Sequence, residues 1–316
     1  MNNLLEIGNS IRTYNRFALF THVNADGDAI GSILGLGLSL KKLGKEVAYF
    51  VPEPVPLKFS FLKDFDLINK QSLEGFEVAI LLDAAGSGRV EELEAHLNDF
   101  KMIINIDHHS SNGHFGNMNY VDGNAPSTTS VIYRLIEVNH FYINEDISNA
   151  LFTGLMTDTG SFHYANTNVE AFEVAKELVK NGANPDYLGK MVYEQEPLPR
   201  MHILGLALTR LVTEEFFAYS YITREDLNNL SATDEDTEGI VDSIRKVKNT
   251  LLVLLFKETS KGDIRVSLRG KDSLNVNKIA AFFGGGGHPQ AAGCTLKPPL
   301  EEAIKIMIEY IKEQKK

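Results

Sequence analysis

The 316-residue chain has a single cysteine, Cys294. That excludes an internal disulfide and a thiolate metal cluster, each of which needs at least two sulfurs. No uninterrupted apolar run reaches the roughly 20 residues needed to span a bilayer. The start, Met1-Asn2-Asn3-Leu4-Leu5-Glu6, lacks the basic segment and apolar stretch of a secretory leader. These absences predict a cytoplasmic protein with no membrane partner. Positive charge is also scarce, with 31 Lys/Arg against 42 Asp/Glu and a net charge of −11. Residues 1–214 hold the whole imbalance, 16 basic against 27 acidic, while 215–316 carry 15 of each. Long nucleic acids are gripped through many phosphates by a basic surface. The sequence lacks that surface, so a polyanionic substrate has to be short and held by a few aimed groups.

What is present is an ordinary globular composition, 43% hydrophobic, on a chain long enough for two domains with cores of their own. Apolar runs at 17–21, 46–51, 78–82 and 102–106 read as buried strands. Helices are expected over roughly 28–43, 88–98 and 128–138. Continuous apolar strands alternating with helices predict an α/β fold with a parallel sheet covered on both faces. Beyond about 214, strand-like runs at 216–222, 251–256 and 263–268 alternate with helices near 237–247, 275–283 and 300–313. This second part reads as a smaller α/β domain. The expected division is 1–190, a helical linker over 191–213, and 214–316.

In open parallel sheets, ligands bind beyond the carboxyl ends of the strands. His22, Asp83 and Asp107 each close an apolar run there. Asp107 opens the triplet Asp107-His108-His109, and adjacent loop histidines pack poorly but serve well as ligands and proton donors. His22-Val23-Asn24-Ala25-Asp26-Gly27-Asp28 adds two carboxylates, and Gly27 lets them point in different directions. Taken alone, Asp26 and Asp28 read equally well as turn and helix-cap residues. Asp158 lies in Thr157-Asp158-Thr159-Gly160. Imidazole and carboxylate donors without sulfur suit Mn2+ or Mg2+, with Co2+ or Zn2+ as substitutes. So many carboxylates would over-neutralise one ion, so two ions are expected, a pair that activates water and stabilises in-line attack at phosphorus. Hydrolysis of a phosphate ester follows.

Gly284-Gly285-Gly286-Gly287-His288 lacks the spacing of a dinucleotide or P-loop motif. Four glycines bare the backbone amides for an anion, where one would suffice to end the helix before them. Arg265 and Arg269 share a face if 263–269 is a strand, and arginine pairs bidentately with phosphate; a purely solvent-facing role is credible for Arg265 and less so for Arg269. Ser127-Thr128-Thr129 reads as a helix cap or as a phosphate contact. His96, His114, His140, His163 and His202 read as structural or surface residues, and Cys294 as a small buried one.

Four motifs in order, His22-x-x-x-Asp26-x-Asp28, Asp83 after a strand, Asp107-His108-His109 and Asp158 in Thr-Asp-Thr-Gly, resemble those of the DHH phosphoesterases. Arg265-Val266-Ser267-Leu268-Arg269 and Gly284 to Gly293 resemble the signature of the DHH-associated C-terminal substrate domain. The resemblance runs over essentially the whole chain, and no motif position is substituted. It implies an active-site crevice between two domains and two divalent ions, Mn2+ first, with Mg2+ or Co2+ as options. One ion would be held by His22, Asp26 and Asp83. The other would be held by Asp28, Asp83, His108 and Asp158, with Asp83 as the bridge. His109 would meet the scissile phosphate and Asp107 would orient a histidine. Arg265, Arg269, Gly285, Gly286, Gly287 and His288 would bind substrate.

Within that family, the compact two-domain length resembles the nanoRNase and pAp-phosphatase type, acting on RNA of a few nucleotides and on adenosine 3′,5′-bisphosphate. Soluble phosphodiesterases of cyclic di-AMP or its linear product are the alternative. A non-catalytic nucleotide sensor is the reading from another class. A homodimer is left open.

Overall fold

The structure, a computed structural model, describes residues 2–86, 96, 99–272 and 274–314. The chain divides into two units, Met1–Gln195 and Glu196–Lys316.

In the first unit, helix α1 (Leu4–Thr13) opens with a capping box between Asn3 and Glu6. Strand β1 (Arg16–Phe20), helix α2 (Gly27–Lys42), and strands β2 (Glu46–Phe50), β3 (Val78–Leu82), β4 (Met102–Asp107) and β5 (Met118–Val121) follow. Helices α3 (Thr128–Val138), α4 (Glu145–Asp158), α5 (Val169–Lys180) and α6 (Pro185–Tyr193) complete it. The five strands lie in the order β2-β1-β3-β4-β5, every neighbouring pair parallel. Along β1 the side chains alternate between two cores. Phe17 and Leu19 join the large cluster under the helices, whereas Ala18 and Phe20 pack with Phe50, Phe76 and Leu81 on the other face. Burial on both faces is what makes these strands read as unbroken apolar runs. The helix expected over 88–98 lies outside the described residues.

Strand order reverses between β1 and β3, and a doubly wound sheet leaves a crevice beyond the strand ends at such a point. His22 and Asp83 follow β1 and β3, and Asp107-His108-His109 begins at the last residue of β4. The topology therefore delivers three of the polar segments to adjacent strand ends.

The second unit opens with helix α7 (Leu198–Thr209), then β6 (Val212–Thr213), β7 (Phe217–Ile222), α8 (Arg224–Asn229), α9 (Ile240–Ile244), β8 (Leu252–Glu258) and β9 (Ile264–Gly270). After these come α10 (Val276–Phe282), β10 (Gly286–His288), β11 (Ala291–Leu296) and α11 (Leu300–Glu313). Its six-stranded sheet runs β10-β11-β9-β8-β7-β6, with only β7 and β8 parallel.

Two features differ from the sequence expectation. Ile203 and Ala207 of α7 pack with Ala218, Ile222 and Val253. The stretch 191–213 is thus divided, its helix seated on the second sheet rather than spanning between domains. The glycine run is also not a bare loop: Gly286–His288 pairs with Ala291–Gly293 as the edge of a hairpin. Glycines carry no apolar alternation, so this strand is defined by its partner rather than by its own side chains.

Candidate metal centre

The His22 ring donates from Nδ1 to the Val23 carbonyl (2.7 Å), which leaves Nε2 free, 3.5 Å from Asp83 Oδ2. His108 repeats the arrangement. Its Nδ1 faces the Ala125 carbonyl at 3.3 Å, and its Nε2 lies 3.7 Å from Asp83 Oδ1, 3.7 Å from Asp158 Oδ2 and 4.0 Å from Asp28 Oδ2. Asp83 therefore turns one oxygen toward each imidazole. It does so from a left-handed backbone, φ +59°, with its N–H on the Ile106 carbonyl at 3.1 Å. Outside glycine, that conformation is tolerated best by Asp and Asn and stores strain of about 1 kcal/mol or more.

Asp28 and Asp158 meet where glycines of α2 let α4 approach closely. A Cβ on Gly31 would stand 2.5 Å from the Ala150 carbonyl oxygen, so only glycine permits this approach. Asp26 caps α2, its Oδ1 accepting from the N–H groups of Asp28 and Ala29 at 3.0 and 3.1 Å. The cap reading of Asp26 thus holds beside its position in the cluster. Asp28, fully buried, is held by the first turn of α3. Its Oδ1 accepts from Thr129 N (2.9 Å) and Oγ1 (2.7 Å), and its Oδ2 from Thr128 N (2.6 Å). Thr128 Oγ1 donates to Asp83 Oδ1 at 2.9 Å. The threonines of Ser127-Thr128-Thr129 are thus occupied by carboxylates of the protein itself, while Ser127 Oγ accepts from Ser130 N as the cap.

Burial pushes the Asp28 carboxyl well above its ordinary value, and the charges of Asp83, Asp158 and Asp26 add to it. Asp158 is pushed up to about 6, mainly by burial, with His108 opposing and Asp83 and Asp26 adding. Among the described residues, no Lys or Arg pairs with Asp26, Asp28, Asp83 or Asp158; the nitrogen groups beside this cluster are imidazoles. Such a cluster lacks countercharge, and its donors fall into groups a cation fits. His22, Asp26 and Asp83 form one, Asp28, His108 and Asp158 another, and Asp83, His108 and His109 a third, each with ligand atoms within 4.8 Å of one another. The donor set fits divalent cations with oxygen and nitrogen ligation.

His109 Nδ1 donates to Asp107 Oδ1 at 2.8 Å, and Asn112 Nδ2 donates to Asp107 Oδ2 at 2.7 Å. The Asp107 bond raises the His109 ring to about 9, against burial and with help from Asp83 and Asp158. Asp107, completely buried, is nonetheless held below the usual carboxylate range, because the bonds from His109 and Asn112 outweigh its desolvation. Asn166 Nδ2 reaches Asp158 Oδ2 at 3.1 Å and steadies it from the following loop. Asn112 and Asn166 escape the sequence reading, as does the use of Thr128 and Thr129 to hold carboxylates rather than phosphate. Their polarity suggests caps and turns, and their carboxylate partners lie on other segments.

In the second unit, register places Arg265, Arg269, Gly286 and His288 on one face. Gly286 pairs with Gly293 and that with Ser267, while His288 pairs with Ala291 and that with Arg269. Gly287 is on the opposite face, where a Cβ would meet the Ala291 carbonyl oxygen at 2.5 Å; on Gly285 it would meet that of Gly293 at 2.1 Å. Those two glycines are needed for packing. Nothing lies closer than 3.9 Å to a Cβ on Gly286, so the fold leaves that position free. Arg269 Nε is bound to Asp242 Oδ1 at 2.8 Å, whereas Arg265 makes no ion pair among the described residues.

Comparison with known proteins agrees with these motifs. Residues 16–157 match the DHH family, N-terminal domain, and residues 214–313 match the DHHA1 domain. The chain is 33% identical to the bifunctional oligoribonuclease and PAP phosphatase NrnA of Thermus thermophilus, covering 93% of this chain and 88% of that one. To the protein of the same name from Bacillus subtilis it is 27% identical, covering 96% of each. The crystal structure of an exopolyphosphatase-related protein from Bacteroides fragilis superposes with a TM-score of 0.84 at 26% identity, covering 98% of this chain and 95% of that one. With both domains matched and a relative 33% identical over most of its length, the chain belongs to the DHH family, in the form that carries a DHHA1 domain after the N-terminal one.

Proposed function

We propose that this protein is a two-ion phosphoesterase that hydrolyses short oligoribonucleotides and adenosine 3′,5′-bisphosphate. The observation that carries the reading is the convergence of His22, Asp26 and Asp83 beside Asp28, His108 and Asp158, with Asp83 facing both imidazoles. The names of the relatives from Thermus thermophilus and Bacillus subtilis supply the substrate class. Divalent ions held there, Mn2+ first by donor chemistry, would supply charge neutralisation at phosphorus and a water acidic enough to ionise near neutral pH.

The chain's own contribution is positional and protonic. His22 and His108 present Nε2 because carbonyls hold their Nδ1 protons. His109, tied at Nδ1 to Asp107 and about 39% exposed, has a second nitrogen free to give a proton to a departing oxygen. Asp107 fixes the ring and stabilises its positive charge, as a buried carboxylate behind a catalytic imidazole does. On the second unit, Arg265, without an ion-pair partner among the described residues, offers its guanidinium to phosphate, and Gly286 offers an unshielded backbone.

The test is turnover of a pentaribonucleotide, adenosine 3′,5′-bisphosphate and cyclic di-AMP by the Mn2+-supplied protein. Release of mononucleotides from the first and phosphate from the second is expected, and Asp83→Asn should abolish both. Turnover of cyclic di-AMP alone would replace the substrate assignment. Three untouched substrates would overturn the enzymatic reading.

A further inference from the structure

We infer that Thr128 is a positioning residue that couples the two candidate ion sites, fixing the Asp83 carboxylate while holding Asp28. The inference rests on the two-ion reading and deepens it.

Thr128 is completely buried and spends both of its donors on carboxylates from different elements. Its N–H meets Asp28 Oδ2 at 2.6 Å, at the start of α2, and its Oγ1 meets Asp83 Oδ1 at 2.9 Å, just after β3. The helix does not need this hydroxyl, because Ser127 Oγ already caps α3 through Ser130 N at 3.0 Å.

The two oxygens of Asp83 are chemically equivalent, and a half-turn about Cβ–Cγ would exchange them. A hydroxyl on one side removes that equivalence. Oδ1 is pinned toward Thr128 and His108, and Oδ2 is left facing His22 at 3.5 Å. The hydroxyl occupies one lone pair of Oδ1 and leaves the other, so the oxygen can still ligate. On Asp28, Thr129 supplies both donors to Oδ1 and Thr128 only one to Oδ2, which is the oxygen nearest His108 at 4.0 Å. Both donors of Thr128 therefore act on oxygens that face His108. The site of Asp28, His108 and Asp158 should depend on this residue more than the site of His22 and Asp26.

Thr128→Val keeps shape and backbone N–H and removes only the hydroxyl. Mn2+ titration calorimetry on the metal-free full chain compares it with wild type, Thr128→Ser and Thr128→Ala, alongside thermal unfolding of each metal-free protein. Wild type should take up two ions. In Thr128→Val one binding event should weaken by about 10–100-fold while the other persists, and Thr128→Ser should restore the weakened one to within about threefold. Thr128→Ala should behave like Thr128→Val and serves in its place if the valine variant does not fold. A merely structural hydroxyl would lower metal-free stability and leave both affinities unchanged, and that result overturns the inference. If wild type binds two ions and both valine and alanine variants bind both equally well, Thr128 does not couple the sites and the two-ion reading survives. If wild type takes up no Mn2+, the two-ion reading falls and this inference with it.

Discussion

A single arginine illustrates how much residue-scale context matters. Arg265 and Arg269 are four residues apart on one strand face, and the sequence favours Arg269 over Arg265 as the phosphate ligand. Packing separates them: Arg269 is held by Asp242 and Arg265 is not. A hydrogen bond from a charged group is worth about 1.5–3 kcal/mol, and a guanidinium already paired has less to gain from a phosphate. Arg265→Ala should therefore raise KM for adenosine 3′,5′-bisphosphate by about tenfold or more, with kcat less affected. Arg269→Ala should raise it less. Steady-state kinetics on the two variants checks the order, and equal effects would show that Asp242 releases Arg269 to substrate.

At the scale of elements, the close packing of α2 on α4 brings Asp28 to Asp158. Gly31→Ala tests it because two effects oppose each other. Alanine favours an isolated helix over glycine by about 1 kcal/mol. Here its Cβ would press on the Ala150 carbonyl at 2.5 Å, a backbone atom that cannot swing aside, and overpacking of this kind costs about 1–3 kcal/mol. The clash should win and lower both stability in urea and activity. Gly189→Ala in α6, with nothing within 4 Å of its Cβ, should instead stabilise by about 0.4–1 kcal/mol.

The same elements show what the sequence made legible. β3 at 78–82, α3 at 128–138 and α11, where the expectation of 300–313 was met, coincide with their predicted ranges because long apolar or amphipathic patterns define them. The acids and imidazoles at strand ends were visible because nothing in a buried strand explains them. β10 was not, since glycine has no pattern to read. Nor was the use of Thr128 and Thr129, because a hydroxyl in the first turn looks the same whether it faces water or a carboxylate from α2.

For the whole molecule, the division between Gln195 and Glu196 has a thermodynamic counterpart. Each unit has core clusters of its own, so differential scanning calorimetry should show two unfolding transitions rather than one. A ligand that binds only the folded form of one unit raises only that unit's transition. Saturating Mn2+ should raise the transition of residues 1–195, chelation should reverse the shift, and the other should stay in place. Equal movement of both would contradict confinement of the ions to the first unit.

Among the described residues the carboxylate cluster has no Lys or Arg partner, and this bears on how the first unit behaves without metal. Asp28 and Asp158 resist ionisation where they are gathered, because burial and the neighbouring carboxylates oppose further negative charge. Metal-free protein should therefore be digested faster by added protease than protein supplied with Mn2+, and equal rates would show that the gathered carboxyls do not weaken the fold.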